Sequence, residues 1–357
     1  MKKIAILTIN DNNNYGNRLQ NYAVTYTLEN MGFDVETLEN VRGHYPANYV
    51  YRIKKMLKSV LLPFSSSIKN KRLKNFLAFN RYIKQSKYYF DALHVPMDLN
   101  DAYDYFVVGS DQVWNVNFKR YSIVYLLVFA SADKRISFSA SFGIDELPDE
   151  YKEDFARELM KFKGIAVREY AGQKIVEELT NRKDVEVLVD PTMLVDAKQW
   201  DVVSKKPKML KDERFILNYF LGELSDARKK EIERVAKELN CTIISILDPK
   251  SPFYQCGPSE FLYLEKHAQL ICTDSFHSSV FAILYNRPFI IFDREGDLKG
   301  MNSRLDTLLQ TFQLKNRKFD TVITKENLEH DYTDAYEILS KEREKARLYL
   351  ERNLLDK

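Results

Sequence analysis

The 357-residue sequence has little cysteine, glycine or proline: three, eleven and ten residues, respectively. So few glycines and prolines exclude collagen-like and low-complexity chains, and three widely spaced cysteines exclude a disulfide scaffold and a zinc-binding pattern. We therefore expect Cys241, Cys256 and Cys272 to be reduced thiols in or near the core. With 45% hydrophobic and 29% charged residues, the chain has the composition of a globular protein large enough for two domains.

Long hydrophobic runs are also missing. The N-terminal sequence MKKIAILTINDNN contains only a short apolar stretch before a polar cluster, too short for a signal peptide or a membrane span. We therefore expect a cytoplasmic protein. The five histidines are scattered and show no metal-ligand spacing, so we expect neither a metal nor a cofactor.

Acidic residues are absent from one segment. Residues 50–90 contain eleven lysines and arginines and no aspartate or glutamate, although the net charge of the whole chain is only +3. Within it Ile53, Leu57, Val60 and Leu61 recur at helical spacing with lysines between them, which predicts a basic helical insertion. This insertion could lie on an anionic membrane, bind RNA through its interleaved aromatic residues, or present a solvated face.

Apolar strand patterns alternate with helical patterns along most of the chain. The first fifty residues read as strand, helix and strand, with Gly32 expected just beyond the end of the helix. Short apolar strands without polar alternation are typical of a parallel sheet covered on both faces. Because the alternation restarts after the lysine-rich stretch 196–213, the sequence predicts an α/β protein with two doubly wound, Rossmann-like domains.

Domain bounds follow from this alternation. We expect an N-terminal Rossmann-like domain over residues 1–195, which includes the basic insertion, and a C-terminal Rossmann-like domain over residues 196–325. A long, charged helical pattern over residues 326–357 is expected to form a C-terminal helix that packs back on the first domain.

Two loops of the first half carry candidate site residues, because ligands of doubly wound sheets bind beyond the carboxyl ends of the strands. The loop DNNNYGNRLQ places several amide side chains at a helix N-terminus, which suits a hydroxyl-rich or anionic ligand, although helix capping alone would explain them. It lacks the GxGxxG pattern, which argues against a dinucleotide. In the second loop, GSDQVWN, Asp111 could act as a general base or accept sugar hydroxyls. The alternative is an Asp111 helix cap beside a core Trp114.

A third candidate, Arg168, ends the apolar strand pattern GIAVRE. An arginine at the end of a strand can bind a carboxylate or a phosphate with two parallel hydrogen bonds. A surface pair between Arg168 and Glu169 is the alternative interpretation.

The segment TDSFHSSVF marks the fourth candidate site. Asp274, Ser275 and His277 follow a buried strand, and the next helix begins at His277. The helix dipole favours an anion there, and imidazole titrates near neutral pH, so His277 can bind phosphate or donate a proton. A histidine that only caps the helix is the alternative. Three basic residues after the next strand either complete a phosphate site or are solvated: Arg294, Lys299 and Arg304.

The combination of GSDQVWN, GPSEFL and TDSFH, with further segments over roughly residues 5–315, resembles the polysaccharide pyruvyl transferase family. The resemblance implies a fold similar to that of GT-B glycosyltransferases, phosphoenolpyruvate as the donor and a sugar of a bacterial envelope polysaccharide as the acceptor. Ser278 departs from the family, in which many members have a glycine-like residue after the histidine. The basic segment and the last forty residues lie outside the resemblance.

The resemblance also implies roles for the candidate residues. His277, Arg168 and Asp111 are the expected catalytic residues, with His277 at the phosphate or as the acid. The expected donor-binding residues are Arg168, Asp274, Ser275, His277, Arg294 and Arg304. The expected acceptor-binding residues are Asn14, Tyr15, Asn17, Gln20, Asp111 and Gln112.

A lipid-linked acceptor would make the basic segment a dock on the anionic inner face of the cell membrane, and nucleic acid is not expected as a partner. Two alternatives stay open at this point. One is a GT-B glycosyltransferase that uses a nucleotide sugar, and the other is a non-catalytic protein that binds a membrane or RNA through residues 50–90.

Overall fold

The computed structural model describes residues 1–40, 67–119, 121–294 and 303–355. Its chain divides into two compact units. Of the described residues, those up to 40, from 80 to 194 and from 342 onward form the first unit, and the others form the second unit.

A parallel sheet organises the first unit. As far as that unit is described, its seven strands are β1 (Lys3–Leu7), β2 (Asp34–Asn40), β3 (Gln85–Phe90), β4 (Tyr105–Val108), β5 (Arg135–Ala140), β6 (Gly164–Val167) and β7 (Glu186–Val187). Their spatial order is β3-β2-β1-β4-β5-β6-β7. Strands are therefore added on one side of β1 first and then, from β4 onward, on the other, which is the doubly wound arrangement.

Helices cover both sheets. Those in the described ranges are α1 (Tyr15–Asn30), α2 (Ile68–Phe79), α3 (Asp149–Leu159), α4 (Tyr170–Thr180), α5 (Ala197–Val203), α6 (Asp226–Glu238), α7 (Pro258–His267), α8 (Phe276–Leu284), α9 (Ser303–Thr311), α10 (Lys325–Leu328) and α11 (Thr333–Leu354).

Strand β1 shows why the strands of the first sheet read as continuous apolar runs. Ala5 and Leu7 belong to a core that includes residues of α3 and α4, whereas Ile4 and Ile6 belong to a second core that includes residues of α1 and α11. Because both faces of the sheet are covered, side chains pointing either way must be apolar.

The second unit contains a smaller parallel sheet. Its strands within the described ranges are β8 (Phe215–Tyr219), β9 (Thr242–Ser245), β10 (Leu270–Thr273) and β11 (Phe289–Ile291). The order β11-β10-β8-β9 places β8 between β9 and β10, so the direction of strand addition reverses here as well. The predicted α/β class with two doubly wound sheets is confirmed.

Several local predictions can be compared with the structure. Gly32 directly follows the cap of α1 and has φ +89°, a conformation that glycine adopts without strain. The lysine-rich stretch 196–213 contains helix α5, whose buried Trp200 packs against Phe281 with ring centroids 5.1 Å apart. The burial of Trp200 explains why a helix forms in a segment that is otherwise rich in lysine.

The C-terminal pattern 326–357 was predicted as one helix, but the non-helical residues 329–332 separate it into α10 and α11. The Thr333 N–H donates to Asp331 Oδ1 (2.9 Å) at the start of α11. Near the end of α11, the Tyr349 hydroxyl donates to the Ser137 carbonyl of β5 (2.7 Å). Tyr349 and Leu350 are buried in the core that also contains Ile4 and Ile6 of β1.

The basic segment is only partly described. The amphipathic positions Ile53 to Leu61 lie outside the described residues. Further along, Ile68–Phe79 is helical, but Gln85–Phe90 is a strand, so the helical prediction is wrong there. Every second residue of this strand is buried, namely Ser86, Tyr88 and Phe90. This period of two is the one expected of a β-strand.

Two further expectations concern cysteines and membranes. Cys256 and Cys272 are buried free thiols, and Cys241 is half-buried. No helix within the described ranges is both long and apolar enough to cross a membrane.

Candidate active site

The candidate residues of the first unit gather at the carboxyl edge of its sheet, beside the neighbouring strands β1 and β4. In a doubly wound sheet, the helix after β1 and the helix that follows the next strand on the other side pack on opposite faces. This arrangement leaves a crevice at the carboxyl ends of the strands. The loop before α1 and the loop GSDQ after β4 are the segments at this position.

Backbone geometry holds Asp111 at this edge. Gly109 has φ +116°, and a Cβ there would lie 2.3 Å from the Phe138 carbonyl oxygen, so no other residue fits. Asp111 itself has φ +71° and pairs with Ala140 at the end of β5. The Ser141 N–H donates to the Asp111 carbonyl (2.9 Å), which ties the loop to the neighbouring strand.

The Asp111 carboxylate accepts hydrogen bonds from groups on separate segments. Its Oδ2 accepts from the Asn17 amide of α1, and its Oδ1 accepts from the Gln112 N–H (2.8 Å). Arg168 Nη2 lies 3.5 Å from the same Oδ1. The alternative interpretation was a helix cap at Asp111 beside a core Trp114. Trp114 is fully buried, but Asp111 is not the N-cap of a described helix.

Arg168 is paired with carboxylates inside the first unit. Its Nη1 donates to Asp190 Oδ2 (2.7 Å), and the side chains of Arg168 and Asp190 are almost completely buried. Burial lowers the pKa of Arg168, but the charges of Asp190 and Asp111 raise it more, so the guanidinium stays charged. Ser110 and Thr192 complete the shell of Asp190, donating to it at 2.9 and 2.7 Å, respectively.

Glu169 has a different role from its neighbour. Its Oε1 accepts from the Ser141 hydroxyl (3.0 Å) and from the N–H groups of Phe142 (2.8 Å) and Gly143 (3.1 Å). Glu169 is fully buried and bonds to the loop after β5, so the interpretation of Arg168 and Glu169 as a surface pair is wrong.

A cavity of about 280 Å³ lies beside Asp111 in the first unit. It is lined by Ile9, Asp11, Asn14, Asn17, Asp111, Gln112, Phe118 and Lys119. Four of the six residues predicted for the acceptor are among them, namely Asn14, Asn17, Asp111 and Gln112. Asn14 also caps α1, because its side chain accepts from the Asn17 N–H (3.3 Å).

The other two predicted acceptor residues are fully buried. Gln20 donates to Thr8 Oγ1 (2.7 Å) and accepts from the Ser110 N–H (3.0 Å), so it joins the loop after β1 to the loop after β4. Tyr15 has no exposed surface. Gln20 therefore shapes the edge of the sheet from within the core.

Sequence reasoning missed Asp190, Asp11, Phe118 and Lys119. Asp190 had a signal, because it follows a strand pattern in VLVDPT, as Asp111 follows one in VVGSD. Phe118 and Lys119 lie in an irregular segment, where no periodicity relates them to the strand ends.

In the second unit, Asp274 braces the edge of the sheet between β8 and β10. Its Oδ1 accepts from the Leu221 N–H (2.7 Å) and its Oδ2 from the Gly222 N–H (2.8 Å), both in the loop after β8. Arg294 Nε donates to the same Oδ2 (3.2 Å). The structure therefore brings Asp274 and Arg294 together, as an ion pair that holds the loop.

His277 is the second residue of α8, and Ser275 is its N-cap. The imidazole is 7% exposed and lies edge-on to Phe276, with ring centroids 5.4 Å apart. The Arg304 guanidinium carbon is 6.0 Å from the centroid of the Phe276 ring. His277, Arg294 and Arg304 thus lie around one helix N-terminus, where the dipole also favours an anion. Lys299, the other basic candidate, is outside the described residues.

No metal site is visible in the described part of the chain, since no three His, Cys, Asp or Glu side chains are grouped to hold an ion.

The family model of the polysaccharide pyruvyl transferases matches residues 14–296. The chain belongs to the polysaccharide pyruvyl transferase family. The matched range includes the Asp111 loop, the Arg168–Asp190 pair and the N-terminus of α8. No protein with curated function matches the sequence.

Solved structures extend the comparison of the fold. UDP-GlcNAc 2-epimerase from Methanocaldococcus jannaschii is 15% identical, with a TM-score of 0.50, over 96% of this chain and 94% of that chain. UDP-N-acetylglucosamine 2-epimerase from Rickettsia bellii is 13% identical, with a TM-score of 0.49, over 99% of both chains. At such low identity the similarity to the first structure concerns the fold alone, and that fold is GT-B-like.

Proposed function

We propose that this family member transfers the pyruvyl group of phosphoenolpyruvate to two hydroxyls of one sugar, in a bacterial surface polysaccharide or its lipid-linked precursor. The product is a cyclic ketal. The observation that carries the donor assignment is the set of basic side chains around the N-terminus of α8: His277, Arg294 and Arg304. Phosphoenolpyruvate has a phosphate and a carboxylate, so its binding requires more than one positive group.

The reaction needs an acid at carbon and a base at oxygen. A proton is added to the methylene carbon of phosphoenolpyruvate, the next carbon becomes cationic, and a sugar hydroxyl attacks it and loses its proton. The C–O bond to phosphate then breaks, and a second hydroxyl attacks the same carbon and passes its proton to the departing phosphate, which closes the ketal. The net products are the ketal and inorganic phosphate.

His277 is the residue we assign to phosphate binding or proton donation. It is almost buried, it belongs to the first turn of α8, and a histidine ring carries nitrogen atoms that can bind a phosphate oxygen or donate a proton. In this role Arg294 and Arg304 neutralise the acidic groups of the donor. Asp274 acts through Arg294 and the loop after β8, and Ser275 contributes the start of the helix.

Asp111 is the residue we assign to the acceptor. The cavity beside it is lined by the Phe118 side chain and by Asn14, Asn17 and Gln112, and we assign this space to one sugar ring of the acceptor. Asp111 is then placed to accept the proton of the attacking hydroxyl. Arg168 supports this carboxylate, since it is already paired with Asp190 and lies 3.5 Å from Asp111.

Attachment to the inner face of the cell membrane is a second part of the proposal, because a lipid-linked acceptor would be held there. In the described part of the basic segment, Arg72 is buried and donates to the Tyr254 carbonyl (3.1 Å), which anchors α2 in the second unit. Lys69, Lys71 and Lys74 of the same helix are exposed and available to anionic lipid.

Vesicle flotation tests this attachment. We expect the protein to float with vesicles that contain anionic lipid at low salt and to be released as salt rises. Equal flotation with neutral vesicles would remove the membrane proposal and leave the reaction unaffected.

Donor choice is the decisive test of the reaction. Isothermal titration should show binding of phosphoenolpyruvate, and incubation with ¹³C-labelled phosphoenolpyruvate and candidate oligosaccharides should give a labelled ketal methyl group together with phosphate. Binding of nucleotide sugars without phosphoenolpyruvate would instead identify a glycosyltransferase. Binding of neither donor, with tight salt-sensitive binding of membranes or RNA, would identify a non-catalytic protein.

A further inference from the structure

A buried carboxyl group lies next to the helix that carries His277. Glu265 of α7 and Ser278 of α8 have no exposed surface, and the Ser278 hydroxyl donates to Glu265 Oε1 at 2.6 Å. In the described part of the structure, Glu265 Oε2 has no hydrogen-bond partner. Burial raises the pKa of Glu265 well above its usual range and so favours the protonated form of this carboxyl group.

Glu265 shares the interface between α7 and α8 with buried apolar side chains. Leu262 and Leu264 of α7 are fully buried, and the rings of Phe261 on α7 and Phe281 on α8 lie 6.2 Å apart. A polar group in such a place destabilises the fold unless its hydrogen bonds compensate, and among the described residues only Ser278 donates a hydrogen bond to Glu265. An apolar residue would pack here without that penalty.

The first turn of α8 lacks a side-chain cap, so contacts from outside the helix contribute to holding it in place. The N–H groups of a first helical turn have no partner within the helix, and the side chain of the N-cap Ser275 makes no capping hydrogen bond. His277 and Ser278 are consecutive residues of this turn. A hydrogen bond that fixes Ser278 therefore also fixes the direction of the residue before it.

We propose that Glu265 is a positioning residue for His277, acting through its hydrogen bond to Ser278. The pair holds the first turn of α8 in the one rotation that directs the imidazole toward the donor. This inference rests on the proposed role of His277 in the reaction.

Four variants separate positioning from packing. Glu265→Gln has the same shape and still accepts the hydrogen bond from Ser278, so it should retain most of the wild-type kcat. Glu265→Leu and Ser278→Ala each leave one polar group buried without its partner and should lower both stability and kcat. The double variant Glu265→Leu/Ser278→Ala removes both polar groups, so it should regain thermal stability, because no unpaired group remains.

The double variant decides between the two roles. If Glu265 positions His277, kcat stays about tenfold or more below wild type despite the recovered stability, because a misplaced catalytic group is inefficient. Recovery of wild-type kcat together with stability would overturn the proposal. Ser279→Ala is the matched control, since Ser279 donates to the Ser275 carbonyl (3.1 Å) of the same helix and is expected to leave kcat near wild type.

A measurement without substrate keeps this test separate from the proposed reaction. In ¹⁵N-histidine spectra, with the His277 signal assigned from a His277→Ala sample, the double variant should shift that signal and Glu265→Gln should not. An unchanged His277 signal in the double variant would refute positioning. If wild type does not react with phosphoenolpyruvate, the proposed function fails, but the spectra still test how His277 is held.

Discussion

Arg168 Nη1 donates a 2.7 Å hydrogen bond to Asp190 Oδ2, and neither side chain is appreciably exposed. The two residues follow the neighbouring strands β6 and β7, so the parallel sheet brings their loops together. The charge of Arg168 is therefore balanced within the protein. We infer that Arg168 serves the acceptor side, by holding Asp111, more than it serves the donor.

The first prediction concerns the stability of this pair. Asp190→Ala leaves the Arg168 guanidinium buried with its main partner missing, and the free energy of unfolding should fall by about 3–5 kcal/mol. Denaturant unfolding followed by circular dichroism measures the loss. The double variant Arg168→Leu/Asp190→Leu should lose less free energy of unfolding than Asp190→Ala, because it leaves no buried charge without a partner. A greater loss in the double variant would show that the pair contributes net stability.

The second prediction concerns Asp111. Asp111→Asn keeps the shape of the side chain but cannot accept the proton of a hydroxyl, so kcat should fall by about 100- to 10,000-fold. The KM for phosphoenolpyruvate should change little, because Asp111 is assigned to the acceptor. Asp133→Asn, an exposed aspartate of the same unit, serves as the control for a change in charge. A kcat for Asp111→Asn close to that of the control would exclude Asp111 as the base.

The third prediction concerns His277. His277→Ala should nearly abolish turnover while circular dichroism and melting temperature stay close to wild type, because a positioned acid or base contributes about 100- to 10,000-fold in rate. His267→Ala is the control, since His267 is half-buried at the end of α7 and stacks on Tyr263. More than about a tenth of wild-type turnover in His277→Ala would indicate a structural role only.

The fourth prediction concerns the pH dependence of stability. Because burial raises the pKa of Glu265, the folded protein keeps a proton that the unfolded chain loses above about pH 4.3. The stability associated with this proton is fully present below pH 4.3 and is lost as pH rises toward the folded pKa. Glu265→Gln has no such proton to lose, so its unfolding free energy relative to wild type should increase between pH 4.5 and 8, as denaturant titrations across this range would show. A constant difference across this range would mean that Glu265 ionises normally.

Several elements were predictable because their signals are local. Gly32 marks the end of α1 because a residue with positive φ is needed there, and Ser225 is the N-cap of α6, a position at which serine is favoured. Strand β3 was missed for the opposite reason. Its alternation over QSKYYF is short, and the high positive charge around it suggested a helical face.

In the candidate site, too, some features have a local sequence signal and others do not. The strand-end positions of Asp111, Arg168 and His277 were readable, because polar residues that directly follow apolar strands stand out in the sequence. The side chain with which each of these residues pairs could not be read from the sequence. Arg168 could have bound a ligand or paired with Glu169, and only the neighbouring loops place it against Asp190, twenty-two residues away.

By itself, the sequence determined the α/β class, the two doubly wound sheets and the strand ends where chemistry is possible, because hydrophobic periodicity and turn residues act over a few positions. Only the tertiary structure decided which polar side chains meet: Arg168 with Asp190, Asp274 with Arg294, and Glu265 with Ser278. The physical reason is that burial makes an unpaired polar group costly. Each partner is therefore chosen by the packing of neighbouring strands and helices, which no local pattern encodes.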